Sequence, residues 1–272
     1  EVFARNSVKT SMRPFIRVIS YLNLRKATKN AEAVLYVTEK TLQDRYPALS
    51  AKFITTASNV MLYDDQISLK SKEWQKKEVY NIISIGSLAQ LYKAPDVIIN
   101  ALSRLHSKGF KCNLTWLGDG MYMKEMKQLA VELKLQDYVS FLVNVDKDRV
   151  IELLQESDLF VLASRTEGLP RAVIEAMAQG LPCIGTKVGG IPELIDEECL
   201  IKSNSVTDLA NKIENILTNK SEEWSGSLKK GESSTIPSLS SLPTTACLFP
   251  ALKPIIMNIR IIFRWRSCGK TE

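Results

Sequence analysis

The segment SRTEGLPRAVIEAM at residues 164–177 decides the fold. It follows an apolar run, Leu159 to Ala163, which is typical of a buried parallel strand. It leads into a helix-forming run, Ala172 to Gln179, which ends at Gly180 and Pro182. A tight turn between such a strand and helix presents free backbone N–H groups and the positive end of the helix dipole above the sheet. The segment therefore predicts a site suited to phosphate.

Two carboxylates frame this turn, Glu167 within it and Glu175 eight residues later. Because a helix advances roughly 100° per residue, eight steps exceed two full turns by only about 80°, so both acids can address one cleft. A carboxylate can accept from both hydroxyls of a diol, so the pair would suit the ribose and the sugar ring of a nucleotide-sugar. The alternative is that Glu167 is an acid near the helix start that the dipole favours and that Glu175 is a solvated helix residue. Spacing alone favours that alternative.

Closely spaced motifs surround the two glutamates: EGLP at 167–170, EAMA at 175–178, GLP at 180–182 and GGIPE at 189–193. Together they resemble the GT-B glycosyltransferases of family 4, the group 1 glycosyl transferases. The E-x7-E signature of that family falls on Glu167 and Glu175. The resemblance covers Val79 to Lys220 and implies an α/β fold of GT-B type, with a doubly wound, parallel, Rossmann-like sheet.

The resemblance also implies roles for individual residues. It assigns Glu167 to the hydroxyls of the donor sugar and Glu175 to the ribose. Lys93 and the backbone N–H groups of Gly168 and Leu169 would stabilise the diphosphate leaving group. Glu167 and Lys93 are thus the expected catalytic residues of a retaining hexosyltransferase. The implied donor is a nucleotide-sugar, expected to be a UDP-sugar, with no metal ion or other cofactor.

The loop after the first strand of this unit, Val79 to Ile85, starts at Gly86 and contains Lys93. A glycine lets the backbone approach a ligand, and a lysine can neutralise phosphate charge. Alone, these residues would describe an ordinary loop with a solvated lysine. The family pattern is G-R-L followed by K-G. Lys93 matches it, whereas Ser87 replaces the arginine and Ala94 the glycine, which predicts weaker diphosphate binding.

Two further loops bear on the donor. Gly118, in LGDG at 117–120, resembles the family's G-x-G turn below the nucleotide, although a glycine turn after a strand is common by itself. Val143 stands where the family has a glycine in the loop that contacts the base. The resemblance therefore does not identify the base from this loop.

The composition and charge of the chain limit which partners and which kinds of site we expect. The chain has 272 residues, 45% of them hydrophobic, and a formal net charge of +6. This charge permits an anionic lipid surface, a nucleotide or nucleic acid, and we expect no nucleic-acid partner. Five cysteines without metal-type spacing suit a reducing compartment, so we expect a cytoplasmic protein, with peripheral contact at the inner face of the membrane as an option. A single histidine leaves little basis for His-based metal or nucleophile sites.

The alternation of strands and helices predicts the nucleotide-sugar-binding domain at 79–220. Residues 1–62 resemble the end of the family's N-terminal acceptor domain and are expected to be a truncated α/β remnant, joined by a linker at 63–78. Within the remnant, Ser11 to Lys29 is a basic amphipathic helix candidate. It could lie on an anionic membrane, but we favour a surface helix with one face on a core.

Residues 221–272 resemble nothing in the family. We expect a poorly ordered tail, with a basic membrane-contacting tail as the weaker interpretation.

Two functions follow from this organisation. The first is a glycosyltransferase that moves a sugar to an acceptor hydroxyl of a glycan or lipid-linked molecule, in polysaccharide or glycolipid synthesis. The second is a nucleotide-sugar-binding module without transferase activity. The intact 167–175 region favours the enzyme, whereas Ser87, the short first domain and the unusual tail favour the module.

Overall fold

The structure, a computed structural model, describes residues 12–57, 60, 67–68 and 75–218. Its helices are α1 (Arg13–Lys29), α2 (Thr41–Arg45), α3 (Pro95–Ser107), α4 (Met123–Glu132), α5 (Lys147–Glu156), α6 (Arg171–Ala178) and α7 (Val206–Thr218). Its strands are β1 (Ala33–Tyr36), β2 (Phe53–Thr56), β3 (Val79–Ile85), β4 (Lys111–Leu117), β5 (Val139–Leu142), β6 (Leu159–Leu162), β7 (Cys183–Thr186) and β8 (Leu200–Ile201). The predicted tail at 221–272 and most of the predicted linker at 63–78 lie outside the described residues.

Six strands form one sheet in the order β5-β4-β3-β6-β7-β8, and every adjacent pair is parallel. This confirms the predicted doubly wound sheet. The chain starts the sheet at β3, moves outward through β4 and β5, and then returns to place β6 on the other side of β3. In such sheets ligands bind beyond the carboxyl ends of the strands where the order reverses. Here that position lies above β3 and β6.

Both faces of the sheet are buried, as the apolar strands require. Alternate residues of β6 enter different cores. Leu159 and Val161 join the core that contains α3, α4 and α7. Phe160 and Leu162 join the core that contains α5 and α6. Each of these four side chains is fully buried, so β6 is held rigidly from both sides and its carboxyl end is a fixed platform.

The N-terminal segment forms a second, two-stranded parallel sheet, β1 with β2. The short helix α2 of this segment starts at Thr41. The carboxylate of Glu193 accepts hydrogen bonds from the backbone N–H groups of Glu39, Lys40 and Thr41, and so fixes the start of this helix. A contact distant in sequence therefore decides a local boundary.

The expectation that the apolar face of α1 lies on a core is wrong. Phe15, Ile19 and Leu22 share one face of the helix and are more than half exposed. None of the described helices has the length and apolar character needed to cross a membrane.

Candidate active site

Two loops meet above the point where the strand order reverses. One loop follows β3 and contains Lys93, in a 3₁₀ turn over Leu91–Lys93. The other follows β6 and contains Glu167. The backbone N–H of Arg165 donates to the carbonyl of Tyr92 at 2.7 Å, which joins the two loops directly. The centre of β3 pairs with the start of β6, and the loops that follow these parallel strands bring residues 74 positions apart into contact.

Lys93 and Glu167 form an ion pair, with 2.7 Å between Nζ and Oε1. The side chains are only 12% and 8% exposed, so the two charges are largely withdrawn from water. Ser164 Oγ donates to the same carboxylate oxygen at 2.6 Å. Within the described part of the chain, Oε2 of Glu167 has no hydrogen-bond partner. The carboxylate is therefore held through one oxygen and can accept from a ligand through the other.

Glu167 also lines a cavity of about 460 Å³ between the two parts of the chain. Thr166, Gly168 and Tyr92 line it on the side of the large sheet, and α1, β1 and α2 close the other side. This volume is in the range of small-molecule sites. The cavity brings open space to the carboxylate that the sequence predicts to be catalytic.

Three glycines permit the close approach of these loops. A Cβ at Gly86 would lie 2.8 Å from Cγ of Lys93, so this glycine leaves room for the lysine stem on its way to Glu167. Gly118 has a φ of +140°, and a Cβ there would overlap the carbonyl oxygen of Gly86. Gly189 has a φ of +54°, and a Cβ there would overlap the carbonyl oxygen of Glu167. Gly86 was predicted to let a ligand approach the backbone, and in the structure the stem of Lys93 occupies the space beside it.

Arg165 is a structural residue of the site that no motif in the sequence indicated. Its guanidinium binds the Asp96 carboxylate with both prongs, at 3.0 and 2.6 Å, and its Nε donates to Asn204 Oδ1 at 2.6 Å. It also donates to the carbonyl of Leu91. With its side chain 3% exposed, Arg165 ties the loop of Lys93 to the loop of Glu167. No motif marked it, although a charged residue next to a fully buried strand could have signalled a need for a partner.

The structure shows the local setting of the two residues that depart from the family pattern. Ser87 is exposed, and its Oγ accepts from the N–H of Ala89 at 3.1 Å and donates to the carbonyl of Asp119 at 3.3 Å. It thus stabilises the turn and supplies no positive charge. Ala94 has a φ of +53°, in the left-handed region that favours glycine, which accounts for the family's glycine at this position.

The start of α6 is open to a ligand. Gly168 and Arg171 are exposed, and the N–H groups of Gly168 and Leu169 have no hydrogen-bond partner among the described residues. Free N–H groups before a helix suit an anion. Glu175 is half-buried on the second turn of α6, and within the described ranges it makes no hydrogen bond or ion pair. Among the described residues, no hydrogen bond or ion pair joins Glu175 to Lys93 or Glu167, so of the predicted side chains the structure pairs Lys93 with Glu167.

No three His, Cys, Asp or Glu side chains converge as a metal site in the part of the chain that the structure describes.

The GGIPE motif forms a turn into a short helix and also binds the N-terminal segment. A 3₁₀ turn spans Ile191–Glu193, and the N–H of Gly190 donates to the carbonyl of Gly168 at 2.6 Å. The Glu193 carboxylate receives its hydrogen bonds from the start of α2. Burial raises the pKa of Glu193, but hydrogen bonds from Thr41, Glu39 and Lys40 outweigh it, and the pKa is lowered overall.

Residues 65–230 match the family described as glycosyl transferases group 1. The chain belongs to this family. It is 30% identical over 210 residues to protein CapJ of Staphylococcus aureus, covering 72% of this chain and 52% of CapJ. It is 31% identical over 211 residues to an N-acetyl-alpha-D-glucosaminyl L-malate synthase of Bacillus anthracis, covering 74% and 53%. The chain thus spans about half the length of these curated relatives.

Solved structures confirm the fold. The Anabaena protein HepE in complex with UDP and glucose superposes with a TM-score of 0.65 at 19% identity, over 93% of this chain and 68% of HepE. The predicted GT-B architecture is therefore confirmed.

Proposed function

We propose that the chain forms the donor-binding half of a glycosyltransferase that moves a sugar from a nucleotide-sugar to an acceptor hydroxyl with retention. The observation that carries the proposal is the Lys93–Glu167 pair at the carboxyl ends of β3 and β6. The pair supplies a largely buried lysine and a carboxylate with one free oxygen. The unpaired N–H groups of Gly168 and Leu169 follow Glu167 in the same loop. These are the groups that a sugar diphosphate requires.

Each group has a distinct task in the proposed mechanism. Oε2 of Glu167 accepts a hydrogen bond from a hydroxyl of the donor sugar and so orients the sugar ring toward the acceptor. Lys93 and the N–H groups of Gly168 and Leu169 bind the diphosphate. When the bond between the anomeric carbon and the phosphate oxygen breaks, its electron pair leaves with the diphosphate, and these donors stabilise the added charge. The acceptor oxygen bonds to the anomeric carbon on the same face, and its proton passes to the departing phosphate oxygen. Glu175 holds the ribose. The rate enhancement comes from positioning and electrostatics.

The first donors to test are UDP-sugars. HepE was solved with UDP and with glucose, and the malate synthase is named for an N-acetylglucosaminyl group. A glycan or lipid-linked acceptor, a hexosyl donor and a cytoplasmic site at the inner face of the membrane complete the proposal. No metal ion is required in it, because Lys93 and the helix start supply the positive charge.

A second function, a donor-binding module without turnover, is favoured by one observation. Ser87 offers no charge where the family has an arginine, and in the structure its hydroxyl is used by the loop itself. Such a module would bind the nucleotide-sugar as proposed and would not transfer the sugar.

Calorimetric titration with UDP and with UDP-glucose tests the binding roles. We expect Glu175→Ala to lower the affinity for both UDP and UDP-glucose, because both contain the ribose. We expect Glu167→Ala to weaken the binding of UDP-glucose more than that of UDP, because only UDP-glucose contains the sugar hydroxyls that Glu167 is proposed to bind. Glu132→Ala, at the exposed end of α4, is the control and should bind as the wild type does. Equal losses for both ligands in both variants would contradict the assignment.

Turnover separates the two functions. The enzyme should release UDP from UDP-glucose when an acceptor is present, and Lys93→Met should abolish that release. Binding without release, across acceptors of both glycan and lipid-linked type, would support the module.

A further inference from the structure

A second cavity, of about 360 Å³, lies on the other side of the Thr166 loop. Cationic side chains from both parts of the chain line it: Arg17, Arg45, Arg165 and Lys187. None of the described residues that line it is acidic. The cavity is thus a concentration of positive charge between the N-terminal segment and the large sheet.

The four cations differ in how far they are neutralised. Arg165 is paired with Asp96, and Lys187 forms an exposed ion pair with Glu197. Arg45 lies over the rings of Tyr21 and Tyr46, at 5.9 and 5.5 Å from their centroids. Arg17 is exposed and makes no hydrogen bond or ion pair with any described residue. Arg17 therefore contributes a positive charge to the cavity lining that no described carboxylate neutralises.

This basic cavity is distinct from the proposed donor site. Lys93, Gly86 and the first residues of α6 do not line it, so it does not contain the groups proposed to bind the diphosphate. It does adjoin the cavity of Glu167, because Leu24, Tyr46 and Thr166 line both. One molecule could therefore place a charged group in the basic cavity and an uncharged part beside Glu167.

We propose that the basic cavity binds the anionic group of the acceptor, a phosphate or a carboxylate, while the reacting hydroxyl of the same molecule lies beside Glu167. The inference rests on the proposed function and extends it to the acceptor class. Arginine is suited to this task, because its planar guanidinium donates two parallel hydrogen bonds to a phosphate or a carboxylate. Arg17 and Arg45 approach from α1 and α2, so an anion between them and Lys187 also draws the two parts of the chain together.

The test uses the whole chain of 272 residues and three small probes. Glycerol 3-phosphate and glycerate have a hydroxyl and an anionic group, whereas glycerol has no charge. Calorimetry should detect binding of glycerol 3-phosphate and of glycerate, and the affinity should fall as salt is added. It should detect no binding of glycerol. Arg17→Gln and Lys187→Gln should each lower the affinity for glycerol 3-phosphate about tenfold. This is the factor expected for the loss of one charge-assisted hydrogen bond.

Matched controls remove the same charge outside the cavity. The control variants are Lys26→Gln and Lys212→Gln. Lys26 lies on α1 with Arg17, and Lys212 lies on α7. Neither residue lines the basic cavity, and both variants should bind glycerol 3-phosphate as the wild type does. Equal weakening by the control and cavity variants would show a general effect of net charge and would overturn the proposal.

The remaining outcomes separate this proposal from the proposed function. A chain that binds UDP-glucose but neither anion retains its donor role and refutes the acceptor-anion site. A chain that binds the anions but not UDP-glucose refutes the acceptor role, because no donor would meet the acceptor. Binding to phosphatidylglycerol vesicles without binding to glycerol 3-phosphate would overturn the proposal in favour of a membrane surface. Anion binding that Arg17→Gln weakens, with UDP-glucose affinity unchanged, supports it.

Discussion

Replacing Arg165 with methionine should destabilise the fold and loosen the loop of Lys93. The guanidinium makes a two-pronged ion pair with Asp96 and also binds Asn204 and the carbonyl of Leu91. Methionine has a similar length and fills the space, so the loss is one of charge and hydrogen bonds rather than of packing volume.

The size of the effect follows from burial. Breaking a buried ion pair by removing one partner costs about 3–5 kcal/mol, because the other charge stays buried. Arg165 is 3% exposed, but Asp96 is 31% exposed and regains part of its hydration. The lower end of the range therefore applies. A loss of about 3 kcal/mol lowers the melting temperature of a domain of this size by about 6–12 °C.

Thermal unfolding followed by circular dichroism measures this loss, and Arg149→Met is the matched control. Arg149 also binds two carboxylates, those of Glu152 and Glu156, but all three side chains are exposed, so its removal should leave the melting temperature close to that of the wild type. Arg165→Lys, which keeps the charge and loses the fork, should fall between Arg165→Met and the wild type. Equal shifts for Arg165→Met and Arg149→Met would refute the proposed structural role of Arg165.

Three further predictions test the site. Gly189→Ala should abolish UDP-glucose binding by displacing the carbonyl of Glu167, whereas Gly109→Ala, with a φ of +80° and no atom within 4 Å of a new Cβ, shares the backbone strain and should bind normally in calorimetry. Ser87→Arg should raise UDP affinity by about 1 kcal/mol, roughly fivefold, by restoring a cation beside the diphosphate, and an unchanged affinity would refute this. Because the pKa of Glu193 is lowered in the folded state, its contribution to stability is present above the ordinary glutamate pKa of about 4.3 and is lost as the pH falls through the lower folded value. Urea titrations should show Glu193→Gln less stable than the wild type at pH 7 and closer to it at pH 3; a constant difference would contradict the linkage.

Local patterns were sufficient to predict the large sheet. Apolar runs bounded by turn residues indicated strands, and helical periodicity between them allowed only parallel pairing with crossovers. The contact between Lys93 and Glu167 was not predicted, although both residues were. Parallel strands bring their carboxyl ends together, but nothing in the sequence says which loop residues will pair.

Interactions between distant segments were missed for a physical reason. The Arg165–Asp96 pair and the bonds of Glu193 to the start of α2 join residues 69 and 152–154 positions apart. Neither has a local signature, because charged side chains look alike in sequence whether they are solvated or paired. The exposed apolar face of α1 was misjudged because periodicity shows that a face exists but not what covers it.

A crystal structure of the chain with bound UDP-glucose would test the proposed donor site in one experiment. We expect the glucose against Glu167, the diphosphate between Lys93 and the N–H groups of Gly168 and Leu169, and the ribose at Glu175. A nucleotide-sugar bound elsewhere, with the Lys93–Glu167 pair untouched, would contradict it.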